Sequence, residues 1–128
     1  MIYGIGVDLV KVNRLARVVD RYGERFLKRV YTDREISYCR SRAHQGIYQF
    51  AQRFAAKEAF SKALGVGLRQ GGIRWRDVEI LPDPRGKPEI HVSGRAARLC
   101  QETGIKGMHL SLTDEDNLAV AMVVLEIL

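Results

Sequence analysis

With 128 residues, 46% hydrophobic and 28% charged, the chain has a globular composition and is long enough to bury a core without disulfide or metal staples. No apolar stretch reaches the roughly 20 residues of a membrane span, and Cys39 and Cys100 lack metal-ligand spacing, which argues against a membrane helix and a zinc module. The basic balance, +6 with an isoelectric point near 9.6, implies an anionic partner: nucleic acid, an anionic membrane surface, a polyphosphate ligand or an acidic protein.

Residues 1–10 (MIYGIGVDLV) predict a buried strand of aliphatic and β-branched residues. Asp8 interrupts the apolar run, so no secretory signal is expected there, and the cysteines are expected to be reduced, as in a cytoplasmic protein. A carboxylate in such a strand is costly to bury unless a cation or hydrogen bonds meet it. Asp8 is therefore either a strand-end cap or a metal ligand. Gly4 and Gly6 do not open a dinucleotide loop, because Leu9 stands where a third glycine belongs.

A helix follows, with Asn13 as its predicted N-cap and Leu15, Val18, Val19 and Tyr22 as its apolar face. Gly23 ends or bends it, and residues 24–30 continue as a short helical piece. Arg14, Arg17, Arg21, Arg25, Lys28 and Arg29 crowd the polar side with only Asp20 and Glu24 among them. That excess of cations exceeds what solubility requires and predicts a docking surface for a negative partner.

Thr32-Asp33-Arg34-Glu35 is a capping box, so a helix starts at Asp33 and runs to about Arg42. A polar loop leads to Gly46, and an alanine-rich helix begins near Ile47 and carries the stretch RFAAKEAFSKAL (53–64). Ala51, Ala55, Ala59 and Ala63 form a small-residue stripe open to close approach. Phe54, Glu58, Ser61 and Lys62 share the neighbouring face. Glu58 and Lys62 can be an ordinary i,i+4 surface pair, worth about 0.2–0.5 kcal/mol, or part of a site.

Gly65, Gly67, Gly71 and Gly72 stop that helix and form a loop. They follow a helix rather than open one, which excludes a Walker-type phosphate loop. Residues 75–81 read as a strand, 82–88 as a turn and 89–92 as its hairpin partner. Ser93 caps a helix over 94–102 that Gly104 stops. Two further strands, 108–113 and 118–127, flank an acidic turn at 114–117. The order predicts one α+β domain over 1–128, a mostly antiparallel sheet packed with helices.

The candidate metal ligands are carboxylates, which suit a hard cation such as Mg²⁺. One or two carboxylates with water and substrate phosphate is its usual setting in phosphoryl transfer. Asp8 and Glu58 are the candidates, with Arg53, Lys57 and Lys62 as cations able to meet phosphate. His44 and His91 are expected in water, and His109 is either a satisfied core histidine or a ligand contact.

Together, Ile5-Gly6-Val7-Asp8 and Arg53-Phe54-Ala55-Ala56-Lys57-Glu58-Ala59-Phe60-Ser61-Lys62-Ala63 resemble the paired strand and helix motif of the 4′-phosphopantetheinyl transferases. The chain length, residues 32–39 (TDREISYC), Gly86-Lys87-Pro88 and residues 108–112 (MHLSL) are similar to the family's short carrier-protein synthase branch. The resemblance spans nearly the whole chain.

It implies Mg²⁺-dependent transfer of the phosphopantetheine arm of coenzyme A to a serine of an apo acyl carrier protein, releasing adenosine 3′,5′-bisphosphate and supporting fatty acid biosynthesis. Motif position makes Asp8 and Glu58 the metal ligands and Lys62 a phosphate contact, with Asp8, Glu58 and Lys62 the catalytic set. Glu58, through water, or Lys62 takes the serine proton. Arg53, Ser61, Lys62, Gly65 and His109 match coenzyme A positions, and Gly86, Lys87 and Pro88 match a loop near the nucleotide. The family fold, a homotrimer with sites between subunits, and an acidic carrier docked on Arg14, Arg21 and Arg25 are also implied. Asp114, where many relatives carry histidine after the Ser-x-Ser/Thr run, departs from the pattern.

The competing class is a nucleic-acid-binding module tracking phosphates with residues 14–29. The scattered aromatics offer no pair suited to base stacking, and that reading leaves Asp8 and Glu58 without a role. No nucleic acid and no membrane partner are expected.

Overall fold

Two glycines decide how the chain's first strand meets its longest helix. In the computed structural model, which describes residues 1–68 and 72–128, β1 (Ile2–Lys11) lies against an 18-residue helix, Ile47–Leu64. A Cβ at Gly4 would sit 1.9 Å from the Ala63 carbonyl oxygen, and one at Gly6 would sit 1.8 Å from that of Ala59. Strand and helix backbones are in contact there, which the alanine stripe at 51, 55, 59 and 63 makes possible. They run in opposite directions, since Gly4 meets the later alanine and Gly6 the earlier one.

The chain in order is β1, α1 (Val12–Tyr22), α2 (Glu24–Val30), α3 (Asp33–Arg40), α4 (Ile47–Leu64), β2 (Val78–Pro82), β3 (Pro88–Val92), α5 (Gly94–Thr103), β4 (Ile105–Glu115) and β5 (Leu118–Ile127). Every pair among these five strands is antiparallel: a three-stranded sheet in the order β1-β5-β4 and a separate hairpin of β2 and β3. The α+β class with antiparallel pairing matches the sequence reading. α4 is buried nearly all round, from Phe50 to Leu64. One core layer joins it to the three-stranded sheet, β2 and α5, and a second wraps its first half in α1–α3 around Tyr31, Phe50 and Trp75.

Several local expectations change. The N-cap of α1 is Lys11, not Asn13. The Asn13 amide instead donates to Asn117 Oδ1 at 2.8 Å, tying the helix start to the β4–β5 turn. Tyr22 is half exposed rather than part of the apolar face, because α1 turns it outward one step before Gly23. The segment before β2, Trp75–Asp77, is a single turn of 3-10 helix rather than strand. The polar loop before α4 closes in a tight non-helical turn, Ala43–Gly46, with His44, Gln45 and Gly46 all in the left-handed region. Gly46 is required there, since a Cβ would lie 2.0 Å from the Cys39 carbonyl oxygen. Gly71 lies outside the described residues.

β1 is not buried on both faces. Gly4, Gly6, Asp8 and Val10 face α4, while Ile5, Val7 and Leu9 are 56–60% exposed. The hydrophobic run is continuous in sequence, but only its alternate residues have a partner within the chain. On the same open face, β5 presents Met122 at 48% exposure, and β4 presents His109, Ser111 and Thr113.

Candidate active site at the β1–α4 edge

Asp8 follows Gly4 and Gly6 on the strand face turned to α4, one step further toward the helix N-terminus. Helical side chains lean toward the N-terminus, so Lys62 reaches back toward that level. Its Nζ donates to the Val7 carbonyl oxygen at 3.0 Å and to Asp8 Oδ1 at 3.2 Å. Glu58 precedes Lys62 by one helical turn, about 5–6 Å between Cβ atoms, and is half buried. The fold thus brings Asp8, Glu58 and Lys62 to one edge. The Asp8 side chain is 19% exposed and that of Lys62 54%, so the cluster opens to solvent. The Ser61 hydroxyl turns back onto its own helix and donates to the Glu58 carbonyl oxygen at 2.8 Å.

The donor chemistry suits a hard cation. Asp8 and Glu58 offer carboxylate oxygens beside a lysine that can share a phosphate with the metal. No cluster of three His, Cys, Asp or Glu side chains with metal-binding potential occurs among the described residues. A cation at this edge would therefore take two protein carboxylates and complete its shell with water and ligand oxygens, as Mg²⁺ commonly does.

Two residues read as phosphate cations lie elsewhere. Lys57 is completely buried: its Nζ donates to Glu35 Oε1 at 2.8 Å, to the Trp75 carbonyl oxygen at 3.0 Å and to that of Val78. Burial pushes its pKa below the usual lysine value, against the opposing pull of the Glu35 carboxylate. Lys57 is a strut between α4, α3 and the start of β2, and phosphate cannot reach it. Arg53 is 3% exposed. Its Nε donates to the Ile80 carbonyl oxygen at 3.1 Å, its Nη1 to that of Gln49 at 3.4 Å, and its guanidinium lies 4.7 Å from the centre of the Tyr38 ring.

The remaining candidates are spread around the molecule. Gly65 caps α4 at φ 83, its amide bonded to the Ser61 carbonyl oxygen. Gly86, at φ 91, and Lys87 are exposed in the β2–β3 turn, which Asp83 ties by accepting from the Arg85 and Lys87 amides; Pro88 opens β3. His109 is exposed on the open sheet face, its Nε2 2.5 Å from Glu126 Oε1. That contact and the ring's charge hold the Glu126 carboxyl below its usual range. His44 and His91 are exposed, as expected.

Glu35 escaped sequence reasoning beyond its capping role. One of its oxygens accepts from the Thr32 amide and Lys57, the other from the Ile80 amide at 2.9 Å. The capping box located the residue, but nothing local announces that its carboxylate is also the counter-ion of a lysine 22 residues away. Arg14, Arg21 and Arg25 are exposed on α1 and α2, as are Arg17, Lys28 and Arg29.

Comparison with known proteins agrees with this architecture. Residues 4–123 match the family model of the 4′-phosphopantetheinyl transferase superfamily. A holo-[acyl-carrier-protein] synthase from Geotalea daltonii is 50% identical over 126 residues, covering 98% of this chain and 99% of that protein. The crystal structure of holo-[acyl-carrier-protein] synthase from Neisseria meningitidis superposes with a TM-score of 0.90 at 37% identity, over 98% of this chain and 99% of that one. The Bacillus anthracis enzyme, solved in complex with coenzyme A (3′,5′-ADP), gives 0.80 at 34% identity over 99% and 98%.

Proposed function

The chain belongs to the 4′-phosphopantetheinyl transferase superfamily, as an enzyme of its holo-[acyl-carrier-protein] synthase branch, and from that premise we propose that it transfers the 4′-phosphopantetheine arm of coenzyme A to a serine of apo acyl carrier protein. The observation that carries the reading is the contact of Lys62 with Asp8 at 3.2 Å, with Glu58 one helical turn away. The serine oxygen attacks the phosphorus that bears the pantetheine arm, and the bond to the adenosine-side phosphate breaks. Adenosine 3′,5′-bisphosphate leaves, and the serine proton goes to Glu58, through water, because Lys62 serves as a charged ammonium.

Asp8 and Glu58 would hold Mg²⁺, which supplies charge neutralisation at the pyrophosphate. Lys62, already aimed at Asp8, meets phosphate oxygens as negative charge builds on the leaving group. A serine hydroxyl is a weak nucleophile, so most of the acceleration rests on holding it in line. Ser61, Gly65 and the Gly86-Lys87-Pro88 turn are assigned to coenzyme A. Arg53 contributes from behind, by fixing α4 to β2.

His109 bears on assembly. It projects from the open face of β4, whereas Asp8 faces α4, so the two meet in one site only if a second copy presents its sheet face. The exposed Ile5, Val7, Leu9 and Met122 supply an apolar surface for that contact. We therefore take the active form to be a homotrimer with sites between subunits, each chain one transferase domain over 1–128. The cationic face of α1 and α2 is the dock for an acidic carrier, with Arg14, Arg21 and Arg25 its main contacts and nucleic acid no partner. No helix among the described residues is long and apolar enough to cross a membrane, and the reading places the enzyme in the cytoplasm, serving fatty acid biosynthesis.

The test is intact-mass spectrometry of apo acyl carrier protein incubated with the enzyme, coenzyme A and Mg²⁺. A gain of one phosphopantetheine arm, lost with EDTA and restored by added Mg²⁺, supports the reading. No gain with folded enzyme and several carrier proteins overturns it.

A further inference from the structure

Three concavities beside α1 and α2 share lining residues and so form one groove. Leu15, Val18, Phe26 and Phe54 line the first. Phe26 and Phe54 continue into the second, which adds Arg29 and Trp75. Arg29 and Trp75 continue into the third, a cleft of about 630 Å³ that adds Arg74 and Arg76. The floor is an unbroken aromatic stack: Phe26 on Phe54 at 6.3 Å and 26°, then Phe54 on Trp75 at 4.8 Å and 28°.

Cations stand at both ends, Lys11 and Arg14 at one and Arg29, Arg74 and Arg76 at the other. At the second end, Asp77 lines the same cleft but accepts from the Arg74 amide at 3.3 Å and lies against the start of α5 at Gly94. Arg76 contacts Asp33 at 3.4 Å, but the Asp33 side chain is 85% exposed, so the contact is weak and easily exchanged. The arginine charge there stays available.

We propose that Arg74 and Arg76, with Arg29, form a second anion-reading patch for the protein substrate, taking a carboxylate-bearing segment whose apolar side chain rests on the aromatic floor. The proposal rests on the carrier-protein reading above and extends its footprint past α1 and α2 to the turn before β2. The groove chemistry selects the occupant. An apolar floor between two cationic ends fits a peptide segment that is apolar in its middle and acidic at its ends. Nucleic acid fits poorly, because Phe54 already stacks with both Phe26 and Trp75 and Trp75 is 7% exposed, leaving little open ring face on which bases could stack.

The experiment measures steady-state modification of apo acyl carrier protein by wild type, by Arg74→Glu/Arg76→Glu, by the milder Arg74→Gln/Arg76→Gln, and by Arg14→Glu/Arg21→Glu. The KM for carrier should rise on the order of tenfold in the Arg74/Arg76 reversal and less in the glutamine pair, with the gap narrowing at high salt. The KM for coenzyme A and the melting temperature should stay at wild-type values. A wild-type carrier KM in both Arg74/Arg76 variants, while Arg14→Glu/Arg21→Glu raises it, overturns the extension and leaves the α1 dock standing. A rise in the KM for coenzyme A instead assigns the patch to the nucleotide and also overturns it. If wild type itself modifies no carrier, the underlying reading has failed, which is a separate result.

Discussion

Lys57 and Lys62 lie five residues apart on one helix, and the fold uses them in opposite ways. Lys57 has no exposed surface, three oxygen partners and a pKa pushed down by burial. Lys62 is more than half exposed and reaches one carbonyl and one carboxylate across the β1–α4 edge. A buried ammonium with its donors satisfied is structure: removing it strands a carboxylate in the core. An ammonium at a solvent-facing edge beside two carboxylates is free to exchange its partners for a ligand. The motif K-E-A-x-x-K therefore combines a buried strut and an exposed cation, with Glu58 between them. The difference comes from helix rotation, since adjacent positions are about 100° apart.

Breaking the strut should give the largest effect. Lys57→Met leaves Glu35 buried and unpaired and should cost about 3–5 kcal/mol, seen as a large fall in melting temperature. The double variant Lys57→Met/Glu35→Gln should recover part of it, because the glutamine still accepts hydrogen bonds. Next comes Gly6→Ala, whose new Cβ must push α4 away from β1. A loss of about 1–3 kcal/mol is expected from overpacking, with transfer falling further than stability because Asp8 moves off Lys62. Third, Met122→Glu on the open sheet face should leave the fold intact but split the assembly, shifting the sedimentation coefficient toward a monomer and lowering transfer. A trimer that survives this change would sink the proposed interface.

The smallest effect is at Glu126. Its folded-state carboxyl is held below the usual range by His109, so the unfolded chain binds more protons within that window. The stabilisation is present above the usual carboxylate range and is lost as pH falls through the folded value. Glu126→Gln should lower the melting temperature slightly at neutral pH and converge with wild type at acid, flattening the acid limb of the profile.

Much of this was legible in the residues. The paired stretches around Asp8 and Glu58 singled out three residues that the fold brings to one edge, and the alanine stripe foretold a close approach by another element without saying that Gly4 and Gly6 would make it. What escaped notice depends on the third dimension. Lys57 and Arg53 look like surface cations until the capping-box carboxylate of Glu35 and the carbonyls of β2 arrive from elsewhere in the chain. Ile5, Val7 and Leu9 look buried because hydrophobicity does not say whether the partner is in the same chain. Trp75 reads as strand, since a single 3-10 turn has no period to detect.

The central claim, that the exposed edge of α4 carries the chemistry and its buried side the structure, is tested most directly by one comparison. Glu58→Gln, Lys62→Met and Lys57→Met are melted beside wild type and assayed by intact mass for phosphopantetheine transfer to apo acyl carrier protein. Glu58→Gln and Lys62→Met should melt like wild type and lose transfer by about 10²-fold or more, whereas Lys57→Met should lose stability first. A folded Glu58→Gln or Lys62→Met enzyme that transfers at the wild-type rate would contradict the account.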